Sequence, residues 1–423
     1  MSETSFQPLA GIRVLDLSRV LAGPVCSMVL ADLGAAVIKV ERPGRGDDTR
    51  EWGPPFIDQP SELAGMSAYF ASVNRNKRSL TLDMGLPAGR DVLVKLIDRS
   101  DVLLENFLPS TAAKFDLEPD RLHAINPRLV VCSISGFGRT GPWRESPGYD
   151  FVVQALSGLM SITGEPDGQP MKVGVALTDV LTGLYAAVSV LASLYGREQR
   201  AEGRGPAEEA SSSGPPPSAL RPPPFQHLDL SLFDCTLASL VNVAQAFLVT
   251  GQRPVRYGNA HPQIVPYECF QTADGYIVLA VGNDDQFQRF CAAAAHDDLG
   301  TEARYATNPL RVTNRLDLIS QLNKLFRSAS TTEWTRRLSA AEVPHAPVLS
   351  LDEVFALPQV QARNMVVETA GGLKLVASPI KIDDRSMPAP SPPPRLGEHT
   401  DGILDELGYS KDAIRQLREL GVI

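Results

Sequence analysis

Along the first part of this chain, short apolar runs alternate with stretches of helical periodicity. Gly11–Asp16 (GIRVLD) reads as a strand, Pro24–Leu33 as a helix of small and apolar residues, and Gly34–Glu41 (GAAVIKVE) as a second strand. Strand, helix and strand at this spacing make a βαβ unit with parallel pairing. The alternation continues through strand Ser79–Asp83, helix Ala88–Asp98, strand Val102–Glu105, a helix closed by Leu122–Asn126, and strand Leu129–Ser135. The expected fold class is α/β, with a doubly wound sheet.

The stretch Val173–Tyr195 (VGVALTDVLTGLYAAVSVLASLY) is a long apolar helix carrying one carboxylate, Asp179, near its start. An acid placed there either caps the helix or is tuned by burial for chemistry. Residues 201–226 then change character, with prolines set among Ser, Glu and Gly, and read as an extended linker. Leu228–Leu248 reads as helical. Strands Ile264–Phe270 and Tyr276–Val281, joined at Asp274-Gly275 by a tight hairpin, and a helix around Phe287–Ala294 describe a smaller α+β domain. Helices at Arg315–Arg327 and Thr332–Ala341, a strand pair near Leu373–Leu375 and two short helices at Thr400–Leu407 and Asp412–Leu420 follow. The expected division is 1–200 large domain, 201–227 linker, 228–260 linking helix and loop, 261–348 small domain, and 349–423 return to the large domain.

Composition changes this picture little. A length of 423 residues gives room for two or three cores, and a formal net charge of -9 argues against a nucleic-acid partner. Five scattered cysteines and six scattered histidines show no metal spacing, so no metal site and reduced thiols are expected. No apolar run is expected to be long enough to span a bilayer, even at Val173–Tyr195, where Asp179 and the small residues favour a buried helix. The N-terminus MSETSFQPLAG has no hydrophobic signal core, so a cytoplasmic location is expected, with a mitochondrial one as the alternative.

Candidate chemistry gathers at the strand ends. Ala22-Gly23-Pro24 starts a helix directly after the first strand, where free amides can hold an anion. Arg42–Trp52 (RPGRGDDTREW) is a polar loop at the carboxyl end of a strand, where open α/β sheets place ligands. Asn74–Arg78 (NRNKR) is a basic run, read either as solvated surface or as a phosphate contact. No GxGxxG is present, so a dinucleotide site is not indicated.

Taken together and in order, RVLAGP (19–24), KVERPGRGDDTR (39–50), NRNKRSLTLD (74–83), ENF (105–107), GFGRTGP (136–142) and GVALTDVLTGLYA (174–186) resemble the class III CoA-transferases of the CaiB/BaiF type. Within that family, residues 258–287 look most like the branch acting on succinyl-CoA and glutarate or hydroxymethylglutarate. The resemblance implies a Rossmann-like large domain built from both chain ends, a smaller second domain, and two subunits interlocked as a homodimer. It implies acyl-CoA and free carboxylic acids as partners, coenzyme A as substrate, and no tightly bound cofactor. Asp179 is implied as the nucleophile. Arg42, Lys77 and Arg78 match positions near the nucleotide, Asn106 a contact to CoA or the intermediate, and Ala22 and Gly23 the pantetheine channel. A dicarboxylic acceptor needs a cation for its distal carboxylate, and Arg19, Arg50 and Arg75 are the candidates. His261, in the loop Asn259–Pro266, is a further candidate near the acyl group.

The chain departs from the formyl-CoA:oxalate type, having Leu21 where that type has glutamine and Ser135 where it has lysine. The same fold hosts α-methylacyl-CoA racemases, but the matching histidine is replaced by Tyr149 in Gly148-Tyr149-Asp150, a poor base near neutral pH. A non-catalytic acyl-CoA-binding protein is the other alternative.

Overall fold

The computed structural model describes residues 7–58, 61–201 and 226–423. Apart from its two end residues, the stretch 201–226 read as a linker lies outside the described residues.

Six parallel strands form the main sheet: β1 (Arg13–Asp16), β2 (Ala36–Glu41), β3 (Lys77–Thr81), β4 (Val102–Glu105), β5 (Val130–Ser135) and β6 (Gln226–Ser231), in the order β3-β2-β1-β4-β5-β6. The order reverses between β1 and β4, which places a crevice beyond their carboxyl ends. Adjacent residues point to opposite faces. Leu15, Leu103 and Val131 enter one core with the helix Pro87–Asp98, while Val14, Val102 and Cys132 enter the other with α1 (Ala22–Asp32). Burial on both faces explains why these strands are apolar throughout.

The helical reading of Leu228–Leu248 needs correction. Gln226–Ser231 alternates, with Leu228 and Leu230 packed against the second core and Asp229 between them, and it pairs with β5 as the sheet's sixth strand. Two helices follow, Leu232–Ser239 and Val241–Thr250. The short alternating run was absorbed into the longer apolar pattern behind it.

The chain divides into two compact units. The first takes its residues from Met1–Ser157, Gly174–Gln245 and Gln361–Ile423, the second from Gly158–Val173 and Ala246–Val360. Residues 158–173, expected in the large domain, therefore cluster with the second unit, as do 246–260 and 349–360. In the first unit the C-terminal helices Thr400–Glu406 and Lys411–Glu419 bury Ile403, Leu404, Ile414 and Leu417 in the first core. The second unit holds an antiparallel sheet of β7 (Tyr267–Gln271), β8 (Tyr276–Ala280) and β9 (His345–Pro347). Its core stacks Phe270 on Phe326, 4.6 Å between centroids, with Trp334 beside them.

Two further helices position the site. α2 (Asp150–Leu156) precedes α3 (Leu177–Ala201), the long helix read from the apolar pattern. Contrary to the sequence expectation, the stretch Leu177–Gln199 is long and apolar enough to cross a membrane. Its Ala186, Ala187, Val190 and Leu194 are buried in the second core of the first unit.

Candidate active site

A cavity of about 270 Å³ opens where the sheet order reverses. The loop after β1 contributes Arg19, Val20 and Leu21, the start of α1 contributes Ala22, the end of β4 contributes Asn106 and Phe107, and the end of β5 contributes Ser135 and Gly136. Tyr149 and Asp179 also line it.

Asp179 sits in the first turn of α3 but does not cap it. The capping role belongs to Asp150, whose Oδ1 accepts from the Thr178 amide at 2.9 Å and the Thr178 hydroxyl at 2.8 Å. Asp179 itself has no hydrogen bond or ion pair among the described residues. Burial, and then the negative charge of Asp150, push its carboxyl up to about 7. Tyr69 is pushed up to about 12 by burial and by the charges of Asp179, Asp150 and Asp47. The acid is thus half-buried, unpartnered and poised near neutrality, a combination associated with reactive groups.

The opposite wall is held by buried charge. Val20 has φ 72, a left-handed backbone that a β-branched residue rarely adopts. Its amide donates to the Asp47 carboxylate at 3.2 Å. Asp47 pairs with Lys39 at 2.9 Å, both side chains fully buried, and Lys39 also donates to the Ser18 carbonyl at 2.9 Å. Burial raises the Asp47 carboxyl, but Lys39 and the Thr49 hydrogen bonds outweigh it and hold the group at about 2. On the other side, Asn106 Oδ1 accepts from the Arg19 amide at 3.0 Å and its Nδ2 donates to the Arg19 carbonyl at 2.8 Å. Residues 18–20 are therefore gripped from both sides.

Of the candidate residues, the structure brings Asp179, Arg19, Ala22 and Asn106 to this one cavity. Asn106 acts on the backbone of Arg19, a role its ENF context did not reveal. Gly23 is not part of the wall; a Cβ there would overlap the Ser18 side chain, so its smallness serves packing. Arg42 stays half-exposed, 3.5 Å from Asp48, beside an adjoining pocket that also touches Arg19 and Phe107.

Four basic candidates are corrected. Lys77 lies inside β3 and not in a surface loop; its ammonium is fully buried against Asp16 at 3.4 Å, the Pro24 carbonyl at 3.0 Å and Asn74 at 2.8 Å. Arg78 lies near the amino end of the strands, away from the site, and forks onto Glu406 at 3.0 and 2.8 Å. Arg75 is buried on Asp32, with its Nη1 on the Val376 carbonyl at 2.9 Å. Arg50 is bidentate to Glu41 at 2.7 Å and stacks 3.7 Å over Phe70. A charge run suggested exposure, but packing against strand, helix and loop carboxylates turned these groups into structural ion pairs. His261 belongs to the second unit, where its Nδ1 accepts from the Gln263 amide at 3.1 Å.

Sequence reasoning missed Val20, Lys39 and Asp47. Nothing local marks Val20, since valine is among the least suited residues for positive φ. Lys39 did carry a signal: one cation inside the otherwise apolar β2 needs a buried partner.

Comparison with known proteins shows the family. The model of CoA-transferase family III matches residues 9–211 and 224–400, and the chain belongs to that family. It is 42% identical over 409 residues to a succinate–glutarate CoA-transferase of Agrobacterium fabrum, covering 95% of this chain and 96% of the relative. It is 38% identical over 424 residues to the succinyl-CoA:glutarate CoA-transferase of Homo sapiens, covering 99% and 90%. The crystal structure of a CaiB/BaiF family protein from Brucella suis superposes with a TM-score of 0.81 at 40% identity, covering 96% of this chain and 100% of that one.

Proposed function

We propose that this enzyme moves coenzyme A reversibly between succinyl-CoA and a free dicarboxylic acid such as glutarate, with Asp179 as the nucleophile. The observation that carries this reading is the unpartnered, half-buried Asp179 carboxylate in the cavity at the sheet's switch point. The relatives that act on succinyl-CoA and glutarate supply the substrate pair.

The Asp179 carboxylate attacks the thioester carbonyl and expels CoA thiolate, leaving a mixed anhydride. The thiolate attacks the aspartyl carbonyl, succinate leaves, and an aspartyl-CoA thioester remains. Glutarate attacks that thioester, the thiolate departs again, and its attack on the glutaryl carbonyl releases glutaryl-CoA and the free Asp179 carboxylate. Each hard acyl exchange becomes two easier ones. Partial burial limits water at the anhydrides, and backbone amides at the start of α1 can meet developing negative charge. Coenzyme A enters and leaves as part of the substrates.

Arg19 is the proposed receiver of the distal carboxylate. Of the three candidate arginines it alone lines the cavity with Asp179; its Nη1 pairs with Asp48 at 2.9 Å, and its Nε is buried without a hydrogen-bond partner. Replacement by glutamine is expected to raise KM for glutarate about 10–100-fold, the worth of a charge-assisted hydrogen bond, with little change for a monocarboxylate. We also read the working enzyme as an interlocked homodimer, with His261 a candidate near the acyl group. Exposed apolar side chains such as Val188 and Leu248 support such an assembly.

Incubation with succinyl-CoA followed by hydroxylamine tests the chemistry. A hydroxamate mapped to Asp179 is expected, and Asp179→Ala is expected to lose turnover by on the order of 10³-fold or more. Full transfer activity in Asp179→Ala sinks the proposal.

A further inference from the structure

The second unit contains a larger cavity, about 770 Å³, whose walls are rich in positive charge. Helix α4 (Arg315–Phe326) supplies Arg315 and Lys324, Arg327 follows at its end, and Arg256 comes from the loop before β7. None of these four cations has an ion pair among the described residues. Most of the basic groups examined above are neutralised instead: Arg50 by Glu41, Arg75 by Asp32, Arg78 by Glu406 and Lys39 by Asp47. One acid, Glu268, faces the same cavity, and burial pushes its carboxyl up despite the nearby Arg315 charge. Unneutralised cations gathered in this way are unexpected in a chain of net charge -9.

Three of these cations are also held in place by neutral acceptors. Arg256 donates to the carbonyls of Glu165 at 3.0 Å, Pro166 at 3.3 Å and Gly168 at 2.8 Å. Arg315 donates to the carbonyls of His261 at 2.8 Å and Pro262 at 3.1 Å, and Arg327 to Gln271 Oε1 at 3.1 Å. Carbonyl and amide oxygens orient a guanidinium without cancelling its charge. The positive field is thus preorganised and left for something else to neutralise. Beside it stands an apolar wall of Tyr257, Leu316 and Ile319, with Arg315 packed 5.3 Å over the Tyr257 ring and Leu316 87% exposed.

We propose that this cavity is a second binding site, for a nucleotide-type ligand whose phosphates meet Arg256, Arg315, Lys324 and Arg327 and whose ring lies against Tyr257 and Leu316. Guanidinium forks suit phosphate oxygens, and the volume falls within the range of small-molecule sites. The inference stands apart from the Asp179 chemistry, because every group in it belongs to the second unit. A free nucleotide and the nucleotide end of coenzyme A share this chemistry.

Calorimetric titration of the full chain with ATP, and separately with CoA, tests the site. Lys324→Glu/Arg327→Glu is the variant, since both side chains are exposed and their reversal leaves the unit's core untouched. ATP is expected to bind once per chain, more weakly at high salt, and at least about tenfold more weakly to the variant. A second equivalent of CoA per chain, absent in the variant, identifies the coenzyme as the occupant instead. Transfer activity at saturating substrate is expected to be the same in both proteins, so this result and the fate of Asp179 are read separately. The site is refuted by equal binding of ATP and CoA to both proteins. It is refuted too if the wild type takes up no ATP and a single equivalent of CoA.

Discussion

Gly183 lies directly against Ala22: a Cβ on Gly183 would stand 2.6 Å from the Ala22 carbonyl oxygen and 2.8 Å from Val25 Cβ. Gly183 is one helical turn beyond Asp179, so the two share a face of α3. The absence of a side chain at Gly183 is what lets α3 sit close enough to α1 for Asp179 and Ala22 to border one cavity. Gly183→Ala should push the helices apart by about 1 Å, and displacement on that scale can cost on the order of 10²-fold in rate. The expected result is a folded protein by circular dichroism with kcat reduced about 10–100-fold. An alanine variant of undiminished kcat contradicts this account of the site.

The nucleophile must be ionised, and Asp179 titrates at about 7 in the free enzyme. kcat/KM should therefore rise with pH across neutrality and level off above about pH 8. Asp150→Asn keeps an oxygen for Thr178 but removes the charge that helps raise the Asp179 carboxyl. Its rising limb should move to lower pH, by about one unit or less. A pH–rate profile of wild type and variant checks this; a limb that stays in place removes Asp150 from the tuning.

The same group links pH to stability. The folded-state pKa of Asp179 lies above the ordinary carboxylate value of 3.8, so the folded protein holds a proton that the unfolded chain releases. That contribution is intact below about pH 3.8 and is lost progressively as pH rises to about 7. Asp179→Asn should consequently melt higher than wild type at pH 8, with the gap closing towards pH 4. Scanning calorimetry at both pH values is the measurement, and a gap that does not change with pH speaks against the raised pKa.

Val20 offers a test in which stability and activity move in opposite directions. Its left-handed backbone costs about 1–2 kcal/mol, whereas glycine in its place costs about 0.5–1 kcal/mol in chain entropy. Val20→Gly should leave Tm unchanged or slightly higher. If Asn106, Asp47 and Lys39 grip this loop to shape the cavity wall, the looser glycine should lower kcat several-fold with little change in KM. A raised Tm with undiminished kcat indicates that the strain serves packing alone.

How far the sequence could be read depended on whether the signal was local. The short apolar runs of β1, β4 and β5 and the helical period of α3 are properties of neighbouring residues, so strands, helices and the isolated Asp179 were visible along the chain. β6 was missed because its short alternation runs straight into a longer apolar helix. The basic residues were harder still. Lys77, Arg75 and Arg50 were legible as charges, but their partners Asp16, Asp32 and Glu41 come from other elements, and only the packing of strands, helices and loops brought them within reach.

By itself, then, the sequence determined the α/β alternation, the long helix with one acid at its start, and the family motifs around it, because each is written in residues close together in the chain. Only the tertiary structure decided that Asp150, and not Asp179, caps that helix, that Arg19 is the candidate arginine lining the same cavity as the acid, and that a buried Lys39–Asp47 pair props the opposite wall. Those outcomes depend on which charge finds a partner in space. Burial makes an unpaired charge costly, and whether a partner stands within a few ångströms is settled by the packing of distant segments.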